Sequence, residues 1–140
     1  MLGSDALQVI HDGATHTRAA KLRAISGWDA GMQGLRVCWQ GEKRDANCCR
    51  CEKCIRNMLN FQLEGLSVPP AFALPVTPEA IRALRFGPTE VIIWKLLRFR
   101  ARQSDKIEPG IRAAINDVTR RMIWRNARKR LSRRLRGKQW

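Results

Sequence analysis

The feature that most constrains this 140-residue chain is a cluster of cysteines. All five cysteines of the sequence fall within 17 residues, and four of them follow the spacing C-x9-C-x2-C-x2-C. These four are Cys38, Cys48, Cys51 and Cys54. Thiolates bind zinc in a tetrahedron at about 2.3 Å, and two-residue spacings let one turn of backbone present several sulfurs to one ion. The pattern therefore predicts a metal site with these four ligands.

Zinc is the metal that the pattern favours, with an iron–sulfur cluster as the alternative, because four cysteines suit either. A bacterial ferredoxin run continues C-x3-C-P after its third cysteine, whereas Ile-Arg-Asn-Met follows Cys54 here. Disulfides and ordinary buried cysteines are the remaining interpretations. Cys49 directly follows Cys48 and is expected to be a bystander thiol. Zinc held by four protein ligands has no open position for a substrate, so the predicted role is structural and no catalytic residue is assigned.

The positive charge of the chain is concentrated at its C-terminal end. The net charge is +15, and residues 98–140 hold 15 Lys and Arg against 3 Asp and Glu. This asymmetry indicates a basic segment that meets a polyanion or an acidic partner. A helix over residues 120–138 would carry cations around most of its circumference, which suits phosphate contacts with RNA, DNA or an anionic lipid surface, or a solvated tail. The candidate nucleic-acid contacts are Arg121, Arg125, Arg128, Lys129, Arg133 and Arg134.

Two classes of protein are disfavoured by the apolar pattern. The best apolar run is Val91–Trp94, far short of the roughly 18 residues that a membrane span needs. The first residues show neither a basic n-region nor an apolar h-region of a secretory signal. We therefore expect a cytoplasmic protein, in which clustered cysteines bind metal more often than they form disulfides.

The hydrophobic periodicity predicts a mainly α fold: a small zinc-stapled region with at most one short strand pair, followed by basic helices. The predicted division is a zinc-binding segment at 1–70 and a Pro-rich connector with a basic helical extension at 71–140. Capping residues and breakers predict helices over 18–26 after Thr17, 52–64 before Gly65, 78–86 after Thr77, 89–102, and a long one from Pro109. Residues 35–39 are expected to form a strand, and residues 28–34 a turn-rich connector.

The cysteine segment resembles the C-terminal zinc motif of the PP-loop ATP-pyrophosphatase family, which includes 7-cyano-7-deazaguanine synthase. That motif has a cysteine followed by an aromatic residue, a polar loop, then C-G-x-C-D-x-C and a helix with an early arginine. Here the matching stretches are Val-Cys-Trp at 37–39 and Asn-Cys-Cys-Arg-Cys-Glu-Lys-Cys-Ile-Arg at 47–56. Thr17-Arg18 corresponds to the family's Ser/Thr-Lys helix start, and the sequence at 65–69 is similar to its Gly-Val-Pro. The resemblance covers about residues 17–70.

This resemblance implies that the family's zinc ligands fall on the four spaced cysteines. It also implies a parent protein that activates an acceptor with ATP before a nucleophile is added. Cys49 stands where the family has glycine, and Glu52 where it has aspartate. The S-G-G-x-D-S loop that binds the pyrophosphate does not occur in the sequence. We therefore expect the isolated chain to lack catalysis and to partner a PP-loop-bearing N-terminal part or subunit.

Overall fold

The computed structural model describes residues 3–4, 7–8, 13–41 and 45–135, with side chains described within 13–41 and 45–132. Two-residue strands β1 and β2 pair antiparallel, with Gly3 opposite Gln8 and Ser4 opposite Leu7. Six helices follow. The elements are β1 (Gly3–Ser4), β2 (Leu7–Gln8), α1 (Arg18–Ile25), α2 (Asp29–Gln33), α3 (Glu52–Leu63), α4 (Pro78–Ala83), α5 (Pro88–Gln103) and α6 (Pro109–Leu135). The described chain is mainly helical, which confirms the predicted fold class.

The predicted helix boundaries at three capping positions agree with the structure. The Thr17 hydroxyl accepts a hydrogen bond from the Ala20 N–H at 3.1 Å, and Thr77 accepts one from Ala80 at the same distance. Each cap satisfies one of the free N–H groups at a helix start. Gly65 follows α3 with a φ of +70°, a left-handed conformation that glycine adopts without steric cost. Local chemistry therefore sets the starts of α1 and α4 and the end of α3.

The main core is formed where α5 and α6 pack along each other, with α4 against α6 and α3 across α5. Trp94 on α5 is fully buried at its centre. Its ring stacks on Phe86, with centroids 5.1 Å apart. Its indole Nε1 donates to Glu52 Oε1 at 2.8 Å, so the polar atom of this large apolar side chain is satisfied. Trp94 thus connects the core of the basic helices to the first turn of α3.

Arg100 makes a second connection between α5 and α3. Its guanidinium donates to Asn60 Oδ1 at 3.2 Å and also pairs with Glu64, just past the end of α3. Lys106 Nζ, in the loop after α5, donates to the Glu64 carbonyl at 3.4 Å. Polar contacts therefore cross the predicted boundary between residues 70 and 71, and that boundary stays a prediction.

Three local predictions are wrong. Residues 35–39 form no strand, because the Asn47 side chain bonds the Val37 N–H and the Leu35 carbonyl in place of a neighbouring strand. The predicted connector at 28–34 contains the short helix α2.

The helix predicted to reach Phe86 ends at Ala83 instead. Leu84 is extended, and both Leu84 and Phe86 are buried, so the chain leaves the helix to place both side chains in the core. Arg121 on α6 donates to the Arg82 carbonyl and, at 3.1 Å, to the Leu84 carbonyl. The guanidinium therefore satisfies backbone carbonyls at and just beyond the end of α4.

We expect Arg121→Leu to lower the free energy of unfolding by about 1.5–3 kcal/mol, because it removes charge-assisted hydrogen bonds to the carbonyls at the end of α4. Arg128→Leu, at an exposed position of the same helix, should change it by less than about 0.5 kcal/mol. Urea denaturation of both variants measures the difference. Equal stability of the two variants would contradict a structural role for Arg121.

Candidate metal centre

The four spaced cysteines come from three local structures that meet at the start of α3. Cys38 lies in the irregular segment at 35–40, Cys48 and Cys51 lie in the loop before α3, and Cys54 lies in its first turn. Their four Sγ atoms all lie within 4.8 Å of one another. Cys38 and Cys54 are buried, and Cys48 and Cys51 are half-buried. The structure brings together all four residues that the spacing assigned to the site.

The size of the cluster fits a single tetrahedral metal ion. Four sulfurs held about 2.3 Å from one ion are about 3.8 Å from each other. Cys48 Sγ and Cys54 Sγ are 3.8 Å apart. All five cysteines lie in the described ranges and are free thiols. The cluster could therefore hold a metal ion.

Backbone N–H groups point at three of the sulfurs. Cys38 Sγ accepts from the Cys48 N–H at 3.4 Å, Cys48 Sγ from Cys51 at 3.3 Å, and Cys51 Sγ from Cys54 at 3.5 Å. Cys51 is also the N-cap of α3. Hydrogen bonds and the positive end of a helix both stabilise thiolate charge. The backbone here is arranged for anionic sulfur.

The pKa values of the thiols differ because their environments differ. Burial raises the pKa of Cys38, but hydrogen bonds to its sulfur, the first from the Cys48 N–H, outweigh burial and lower the pKa to about 7. Burial raises the pKa of Cys54 and that of Cys51. Ionisation of the buried thiols therefore needs a nearby positive charge. A metal ion supplies that charge, and its binding would release protons.

Two residues that the sequence analysis did not single out hold the Cys38 segment in place. Besides its bonds to residues 35 and 37, the buried Asn47 amide donates to the Ala71 carbonyl at 3.1 Å. Gly41 has a φ of +116°, and a Cβ there would lie 3.1 Å from the Cβ of Cys48. The signal that could have identified these two residues is their type, because asparagine and glycine at the ends of a polar loop favour turns.

Cys49 lies at a backbone position that favours glycine. Its φ is +56°, in the left-handed region that favours glycine, and its side chain is buried. Its Sγ donates to the Asn47 carbonyl at 3.4 Å. The side chain therefore contacts the supporting loop rather than joining the four-sulfur cluster.

The candidate nucleic-acid residues with described side chains differ in exposure and in their contacts. Arg121 is half-buried and bound to carbonyls of the protein, and Arg125 Nη1 lies 3.9 Å from Met122 Sδ. Arg128 and Lys129 are exposed on α6. The side chains of Arg133 and Arg134 lie outside the described residues.

Comparisons with protein-family models, with curated proteins and with solved structures gave no match. Among the described residues, no helix combines the length and apolar character that crossing a bilayer requires.

The left-handed backbone at Cys49 predicts that Cys49→Gly is more stable than Cys49→Ala by about 1 kcal/mol, because glycine removes the Cβ strain while both variants lose the same buried thiol. At exposed Ala113 in α6, the change Ala113→Gly should instead destabilise by about 1 kcal/mol. Thermal unfolding of metal-loaded protein measures both effects. An alanine variant at least as stable as the glycine variant would contradict the strained conformation.

Proposed function

We propose that the four-cysteine cluster binds one zinc ion with a structural role. The observation that carries this proposal is the convergence of four sulfurs within 4.8 Å. In a multi-iron cluster the cysteines are ligands to different iron atoms, so their sulfurs lie farther apart than around one ion. Cys38, Cys48, Cys51 and Cys54 would complete the coordination of zinc and leave no position for a substrate.

The zinc would connect the irregular segment around Cys38 to helix α3. Cys38 belongs to a segment without regular hydrogen bonding, whereas Cys54 belongs to α3, whose inner face is buried. Metal binding to such a site contributes directly to folding, because the unfolded chain does not hold the ligands together. We expect the bound zinc to stabilise the N-terminal end of α3 and the loops before it.

We further propose that the chain is the C-terminal segment of a cytoplasmic PP-loop ATP-pyrophosphatase-like protein. Two features of the structure support this relationship. The Arg18 guanidinium, at the helix start that matches the family pattern, donates to Asn57 Oδ1 on α3 at 3.2 Å. Cys49 has the positive φ that suits the glycine found in the family at this position. The ATP-binding loop would come from a separate part or subunit.

We expect the chain purified under reducing conditions to contain one zinc per molecule and to be colourless. A chelator should remove the zinc and expose the core, and Cys54→Ser should lose the metal, whereas Cys49→Ser should keep it. Elemental analysis, absorption spectra and circular dichroism measure these properties. Iron with visible absorption, or equal metal loss in both variants, would contradict the proposed zinc site.

The same protein tests the relationship to PP-loop enzymes. The isolated chain should release no pyrophosphate from ATP, and the DNA upstream of the Met1 codon, or a neighbouring gene, should encode an S-G-G-x-D-S loop. Pyrophosphate release by the isolated chain, or a gene neighbourhood without such a loop, would contradict this part of the proposal and leave the zinc site unaffected.

A second candidate function is nucleic-acid binding. The specific observation is that residues 127–131 are exposed at every position, so this part of α6 extends beyond the packed core. It presents Arg128, Lys129 and Arg130 to solvent. Exposed cations on a rigid helix suit contacts with phosphates, which require charge rather than a base-reading motif.

If this second function is correct, binding to oligonucleotides should weaken linearly on a plot of log affinity against log salt. The slope should be about −0.9 per phosphate contact on duplex DNA and about −0.7 on single strands. Fluorescence anisotropy with labelled oligonucleotides measures this slope. The control variant is Lys95→Ala, which removes one charge from the exposed side of α5. Absent or salt-insensitive binding would leave the basic helix as a solvated surface.

A further inference from the structure

Two pockets meet at the turn between α4 and α5. Each has a volume of about 370 Å³, and Arg85, Phe86 and Gly87 line both of them. The first continues toward the cysteine-bearing loops, and the second continues along α6. The two pockets adjoin at these three residues, and we call the two together the basic groove. Its cationic residues are Arg50, Lys53, Arg85, Arg125, Lys129 and Arg130.

Among the described residues, no ion pair neutralises the cations of the basic groove. In the described part of the chain, the ion pairs are Arg23–Glu64, Arg56–Glu52, Arg82–Asp117 and Arg100–Glu64, and none involves a groove cation. Two carboxylates line the first pocket, but both have internal partners. Glu52 accepts from Trp94 and pairs with Arg56 at 2.8 Å, and Glu90 accepts from the Gly87 N–H at 3.1 Å.

The α6 side of the groove also holds an unused donor. Asn126 lines the second pocket, and its Nδ2 atom is buried without a hydrogen-bond acceptor among the described residues. Burial lowers the pKa of the adjacent Arg121, and the charges of Arg85 and Arg125 lower it further, so the arginines are crowded here. A phosphate group would supply the missing negative charge, and the Asn126 amide would have to turn toward it to gain an acceptor.

The other end of the groove carries an aromatic surface. Trp39 lines the first pocket and is 77% exposed. Lys53 Nζ lies over its ring, 3.5 Å from the centroid, and covers one face. The opposite face is available to stack on a planar group. An exposed aromatic ring beside a row of cations is the arrangement by which proteins bind single-stranded nucleic acid.

We propose that the basic groove binds single-stranded nucleic acid, with phosphates along Arg85, Arg125 and Lys129 and a base stacked on Trp39. This inference rests on the second proposed function and assigns its site and substrate class. It moves the binding surface from the exposed end of α6 to the junction of three parts of the fold: the cysteine-bearing loops, the α4–α5 turn and one side of α6.

The test measures binding of the zinc-loaded full chain to a labelled oligouridylate of about 12 nucleotides. Fluorescence anisotropy reports the affinity at each of several salt concentrations. Arg85→Ala should weaken binding about fivefold and reduce the salt slope by about 0.7, because it removes one phosphate contact. Trp39→Ala should weaken binding about tenfold without changing the slope, because stacking releases no counterion. Zinc content is measured for each variant to confirm that the cysteine loops are intact.

Two matched variants decide between the groove and other surfaces. Arg120→Ala removes the same charge from an exposed position of α6 outside the groove and should leave affinity nearly unchanged. If Arg128→Ala weakens binding while Arg85→Ala and Trp39→Ala do not, the groove is wrong and the second proposed function stands. Equally tight binding of a duplex of the same length would overturn the preference for single strands. If the wild-type chain does not bind at low salt, both proposals fail.

Discussion

Four cysteine sulfurs meet at the start of α3 and bring together three local structures of the described N-terminal half. Among the described residues, the segment around Cys38 has no strand neighbour. The sulfur cluster, together with the Asn47 amide, joins this backbone to a helix whose inner face is buried. Glu52, in the same first turn of α3, then accepts from Trp94, so the cluster and the core of the basic helices are connected through one helix turn.

Sequence reasoning identified the elements whose signals are local. Thr17, Thr77 and Gly65 act within one turn of the backbone that they cap, so the boundaries that they predict are correct. The cluster of four cysteines was likewise recognisable, because tight spacing makes the convergence of their sulfurs a local event. Two of the three errors arose where a side chain from elsewhere in the chain replaced the expected partner. Asn47 occupies the place of a strand, and Arg121 binds carbonyls 37 to 39 residues away in sequence.

The charge count locates the excess of arginine in the sequence. It does not show which arginines bind backbone carbonyls and which are open to a ligand. Arg121 is a structural donor, and so is Arg112, which donates to the Ala101, Ser104 and Ile107 carbonyls and thereby closes the α5–α6 connection. Arg85 stands outside the arginine-rich end of the sequence, yet it lies at the centre of the basic groove. Residue type alone does not show whether a guanidinium satisfies backbone acceptors or is open to a ligand. Their surroundings distinguish them, and those surroundings are set by tertiary packing.

The proposed zinc site and the proposed groove are physically coupled. Trp39 directly follows Cys38, and Arg50 and Lys53 each adjoin cysteines of the cluster, so one wall of the groove is built on the metal-binding loops. The other wall belongs to α6, whose packing against α4 and α5 does not involve the cysteines. Loss of metal would therefore remove the stacking wall while leaving the cations of α6 in place. Binding to the remaining wall would keep its dependence on salt and lose its preference for single strands, because charge attracts any phosphate backbone whereas stacking requires an unpaired base.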